Sequence, residues 1–149
     1  MIAFVTAGAG FLLAVLWFDL MFDVQVFAHA ERELPEELLA SIAGYYRRVT
    51  TAARPMNRLI ATVMLATLAA IVAEIANGSA PRAVAWVSLV LAAGPILLAG
   101  ARTVPSAVRL GARSDTLERQ SALARSICRE HLLCLTGIAA LLVLQLSWA

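Results

Sequence analysis

Charge is confined to two stretches of this chain, and that partition limits what the chain can fold into. Residues 31–58 and 102–130 hold every arginine except Arg82, while the runs around them are almost uncharged. A soluble domain spreads charge over its whole surface, and about a quarter of its residues carry it. Here 15% are charged against 61% hydrophobic. The pattern predicts an integral membrane protein of the all-α class, a single domain built as a four-helix bundle.

Four apolar runs, about 2–22, 56–76, 82–101 and 131–148, approach the ~20 residues a spanning helix needs. No positively charged segment precedes the first run and no small-residue cleavage site follows it, so it reads as a retained helix. Its Ala3, Ala7, Gly10 and Ala14 spacings predict a face on which another helix can pack closely. Asn77-Gly78 ends the second run, Ser79 is expected to cap the third, and the short connection predicts an antiparallel hairpin. Gly94-Pro95 predicts a kink in the third run.

The charged blocks read as helices too. Pro35 and the acids Glu36 and Glu37 suit a helix start. Leu38, Ile42, Tyr45 or Tyr46, and Val49 recur at helical spacing up to Pro55, which predicts an amphipathic helix on or under the membrane face. Ser114 or Asp115 is expected to cap a last helix running to about Leu146, with Glu118 completing a capping box on Asp115. Its first half is amphipathic and cytosolic. An even number of spans separates the two arginine-rich blocks, so both face the cytoplasm. The expected location is the cell (inner) membrane, multi-pass, with both termini on the non-cytoplasmic side. The partners this implies are the lipid bilayer and a second copy or another membrane protein. The mixed charges give no basic strip for nucleic acid.

Polar residues near the spans are the candidates for chemistry. Asp19 and Asp23 share a helix face; acids at membrane depth face a partner or water. Two readings stay open, a proton or redox site, or ion pairs with Arg125 or Arg129. His29 and His131 are the only histidines. As a pair from the first and last helices they are candidate haem ligands, although no cofactor at all is the leading expectation. Cys128, His131 and Cys134 do not make a zinc pattern, so no metal site is expected, and six residues of helix keep the two thiols from pairing. Glu74 is expected to snorkel to water or to pair with Arg82. No phosphate loop, nucleophile elbow or zinc-protease motif occurs.

Tyr45-Tyr46-Arg47 ahead of the second run, Arg102-Thr-Val-Pro105 after the third, and a polar helix leading through His131 into the fourth resemble the anthrone-oxygenase-like family of small four-helix membrane proteins. The resemblance implies a pocket lined by Tyr46, Arg47, Arg102 and His131 and an aromatic or quinone-like substrate. Three classes of function remain in view. The absence of a catalytic motif favours an accessory or partner-binding membrane component. The alternative is a membrane redox enzyme, oxygenase-like or haem-binding, with a lipid-soluble substrate. The third is an oligomeric proton or ion transporter, which the shortage of mid-membrane polar residues disfavours.

Overall fold

A computed structural model describes residues 1–148, the side chain of Arg54 excepted. The described residues are helical with no strand, in the order α1 (Ile2–Asp23), α2 (Glu36–Arg47), α3 (Arg54–Asn77), α4 (Arg82–Leu98), α5 (Val104–Ala112) and α6 (Leu117–Trp148). Four helical runs are long and apolar enough to cross a membrane: Ile2–Ala28, Pro55–Asn77, Arg82–Ala112 and Leu117–Trp148. α1 packs on α3 and α6, and α4 packs on the same two.

Local chemistry explains most boundaries. α3 ends at Gly78, whose φ of 60° is the left-handed conformation that glycine adopts without penalty. Pro55 lies in the first turn of α3, where its missing N–H costs nothing, so it starts this helix rather than ending the one before. α4 begins after Pro81 without a side-chain cap, and Ser79 does not cap it. Pro95 sits inside α4, and the helix then continues through a π turn, Ala99–Thr103, into α5. A second π turn, Arg48–Ala52, follows α2.

The start of α6 differs from the expected capping box. The Thr116 hydroxyl accepts from Arg119 N at 3.4 Å. Asp115 is turned away into a two-pronged bond with Arg109, 2.7 and 2.6 Å long. That guanidinium holds the Asp115 carboxyl below its ordinary range, and a charge-assisted fork is stronger than a cap bond.

Two apolar clusters make the core. At the arginine-rich end, Leu34, Leu39, Ile42, Tyr46, Leu110 and Ile127 close a cluster in which the apolar face of α2 meets α5 and α6. This cluster lies among the charged segments, where burial from water contributes about 1.5–3 kcal/mol for each large aliphatic side chain. At the other end Val5, Ala9, Leu12, Ile71, Ala92, Ile138 and Leu141 pack together.

The face of α1 that enters this second cluster is not the small-residue face expected. Ala3, Ala7, Gly10 and Ala14 are exposed, and nothing lies within 4 Å of a Cβ placed on Gly10. Val5, Ala9 and Leu12 are buried instead, and Gly8 between them lies against Thr67 of α3. Small residues permit a close approach without dictating it, and the bulkier stripe offers more contact.

Gly111 marks the tightest backbone approach between α5 and α2. A Cβ there would lie 2.8 Å from the backbone nitrogen of Arg47. Gly111→Ala should therefore lower the thermal midpoint of the purified protein, by an amount equivalent to about 1–3 kcal/mol of overpacking. Gly44→Ala, in open space on α2, should leave it unchanged or raise it by up to about 1 kcal/mol. Equal responses from the two variants would refute the close-packed α2–α5 contact.

Candidate functional site

α1, α2 and α6 each deliver polar side chains to one point at the boundary between the two clusters. Asp19 and Asp23 stand one helical turn apart on α1. Consecutive tyrosines near the end of α2 meet them, Tyr45 donating to Asp19 Oδ1 at 2.7 Å and Tyr46 to Asp23 Oδ1 at 2.6 Å. His131 comes from α6, its Nδ1 2.6 Å from Asp23 Oδ2 and its Nε2 3.8 Å from Asp19 Oδ2. Tyr46 Oη also lies 3.4 Å from His131 Nδ1. Phe22 stacks on Tyr45, with ring centroids 4.2 Å apart, and fixes the ring that reaches Asp19.

Asp23 is fully buried and His131 is only 8% exposed. A buried carboxylate must be hydrogen-bonded or paired, and Asp23 uses both oxygens. Because Asp23 accepts from Nδ1–H, the neutral imidazole is assigned the tautomer with a bare Nε2. Burial, with the neighbouring carboxylates, pushes both phenols above their ordinary range, so Tyr45 and Tyr46 stay protonated donors.

No arginine is within ion-pair distance of Asp19 or Asp23 among the described residues. The expected pairs with Arg125 and Arg129 do not form. Arg125 instead donates to the backbone carbonyls of His29, Glu31 and Arg32, and Arg129 turns back to Arg125 O. Those carbonyls lie in the loop after α1, where a five-donor guanidinium satisfies several acceptors at once. His29 does not join His131. It lies beside Glu31 at the surface, while both nitrogens of His131 face carboxylates, so the two do not form an axial pair for haem.

A cavity of about 430 Å³ opens beside this cluster. Asp19, Tyr45, Tyr46 and His131 line its polar end, and Phe11, Leu12, Ile60, Met64 and Ile138 line the apolar remainder. Both π turns border it, through Val49 and Thr50 on one side and Ala99 and Thr103 on the other. Such turns widen a helix locally and recur at functional sites. The lining residues that are also exposed, Ala14 and Phe18 of α1, Met56 and Asn57 of α3, and Val104 of α5, mark its mouth.

Of the pocket residues implied by the family resemblance, Tyr46 and His131 meet, but Arg47 and Arg102 do not line the cavity. Arg47 is exposed, and Arg102 lies outside, its Nε 3.5 Å from Glu130. Glu130, next to His131 on α6, reaches Thr103 of the Ala99–Thr103 π turn and not the aspartates. It is buried, and accepts from Thr103 at 2.8 Å and Ser126 at 3.0 Å. The sequence reading passed over Glu130, Thr103 and the cavity position of Cys134; a Ser126–Glu130 pair four residues apart was the available sign. Cys128 and Cys134 are free and buried, and no group of three potential ligands forms a metal cluster among the described residues.

No protein-family model matches the chain, and no curated protein or solved structure matches it either. The site must be read from its own chemistry.

Removing Asp23 leaves Tyr46 Oη and His131 Nδ1 without their best partner in a closed interior. Each orphaned group costs about 1–3 kcal/mol, so Asp23→Ala should lower the unfolding midpoint sharply in a detergent thermal melt. Tyr45→Phe, at a half-buried bond, should cost about 0.5–1.5 kcal/mol. A melt in which Tyr45→Phe is the more damaging would contradict the central place given to Asp23.

Proposed function

We propose that this chain is a membrane-spanning four-helix bundle whose cavity takes a lipid-soluble molecule with an aromatic or quinone-like head and carries out proton transfer on it. The observation that supports this most is the union of an apolar cavity with a histidine–carboxylate pair at its end. Pockets of a few hundred Å³ with convergent polar groups at one end suit small apolar ligands.

Insertion in the bilayer is supported by the outward surface. Phe4, Leu65, Val90 and Val143 are each more than 60% exposed, on helices whose apolar windows are mostly unburied. Soluble monomers rarely expose large apolar side chains on this scale. With the arginine-rich end in the cytoplasm, the cavity mouth between α1 and α3 opens toward the inner leaflet, where a lipid-soluble molecule would be concentrated.

In this reading Asp23 fixes the His131 tautomer and stabilises the imidazolium, leaving Nε2 as the base that accepts a proton from the ligand's hydroxyl or acidified C–H. Tyr45 holds the Asp19 carboxylate, which orients a hydroxyl or balances the charge on His131. An accessory component would need a free docking face, and the apolar side of α2 does not offer one, because α5 and α6 already cover it.

The test is binding of a hydrophobic anthrone by purified protein in lipid nanodiscs and its turnover to the enol tautomer, the proton that His131 takes from carbon being returned at oxygen. His131→Ala should keep binding and reduce turnover by roughly 100-fold or more. Ala99→Phe, which fills the cavity from the π turn, should weaken binding by at least about tenfold, equal to 1.4 kcal/mol. Unchanged binding in Ala99→Phe would rule out the cavity as the site.

A further inference from the structure

The end of the molecule opposite the cavity holds a second polar group, built from three helices. Glu74 of α3, Ser88 of α4 and Gln145 of α6 are each fully buried. Gln145 Nε2 donates to Ser88 Oγ at 3.0 Å and to Glu74 Oε2 at a long 3.4 Å. The remaining oxygens, Glu74 Oε1 and Gln145 Oε1, are buried with no partner. Arg82, the expected counter-ion, is exposed, and no basic group lies within ion-pair distance of Glu74 among the described residues.

Two bare acceptors on touching side chains need a donor. Reversing the Gln145 amide, an assignment that always rests on the hydrogen-bond network, leaves Glu74 Oε2 facing an oxygen that only a proton between them would make a partner. It places an amide oxygen against Glu74 Oε2, acceptor to acceptor, at the same 3.4 Å. A water or an alkali cation would supply the missing partner but needs room. None of the three side chains lines the cavity or the small groove at Gly137, and Thr67, Ile71 and Leu141 beside them are closed off as well. A proton needs no room, and it also removes an uncompensated charge that burial would otherwise penalise heavily.

We propose that Glu74 is a proton-binding site: a neutral carboxylic acid whose O–H is donated to the side-chain oxygen of Gln145, with Ser88 completing the set. It is independent of the cavity reading. Glu74 is the donor that the sequence of acceptors lacks, and the site ties α3, α4 and α6 together at their far ends. Gln145 lies fourteen positions beyond His131 on α6, a rise of roughly 21 Å. Val5, Ala9, Ile71, Ala92 and Leu141, all buried, pack in the cluster between the two polar sites.

Infrared spectroscopy of the protein in nanodiscs at neutral pH tests this directly. The unsubstituted chain should show a protonated-carboxyl C=O stretch, lowered in frequency in heavy water and lost in Glu74→Gln. Glu74→Asp, which keeps the acid but shortens its reach, should retain the band at a shifted position. If Glu74→Gln does not fold, carboxyl-13C glutamate in the unsubstituted chain replaces it, and Glu130→Gln in the same labelled background removes the other buried glutamate. A labelled band that survives Glu130→Gln supports the site. Loss of a carboxylate stretch in Glu74→Gln, or a stretch that responds to withdrawal of sodium, would overturn it.

Discussion

The arrangement of the arginine-rich end depends on the need of one buried carboxylate for partners. Asp23 is closed off from solvent and sits where α1 leaves its apolar run. With no arginine at hand, it takes a phenol from α2 and an imidazole from α6. That requirement positions α2 under the long helices, sets the rotation of α6, and leaves His131 with one nitrogen spoken for and one bare. The chemistry proposed for the cavity follows from the same bond that closes the fold.

The two ends of the molecule use different physics. The arginine-rich end has a buried core of Leu34, Leu39, Ile42, Leu110 and Ile127 among charged segments, where the hydrophobic effect favours its closure. Along the apolar helices that effect is absent if lipid surrounds them, and close contact must replace it. Gly8 against Thr67, and Gly137 against the ring of Pro95, are two such close contacts. The cavity falls between these regimes, where neither a water-driven core nor tight helix contact fills the space.

Much of the helix order was legible from the partition of charge, since long uncharged runs admit few structures other than helices. The end of α3 at Gly78 and the start of α2 after Pro35 followed from local chemistry. The partners of the acids were not legible. Arginine abundance near Asp19 and Asp23 suggested ion pairs, but the backbone carbonyls after α1 compete for Arg125, and two hydroxyls with one imidazole suffice for the carboxylates. Glu74 misled for a related reason: proximity in sequence to Arg82 says nothing about which way each side chain faces across a turn. The π turns were invisible because no residue type demands them.

Those turns make the interior depend on chain length as well as composition. The spacing of buried positions runs on through Ser88, Ala92, Thr103, Ala107 and Leu110 as if one helix continued. Within it, the wide turn at Ala99–Thr103 accommodates a surplus residue, worth about 100° of rotation in an α-helix. That rotation lets one stripe serve α6 before the turn and α2 after it. The space beside His131 is bordered by that turn, so removing one residue there would re-aim every side chain beyond it while leaving the composition of the wall almost untouched.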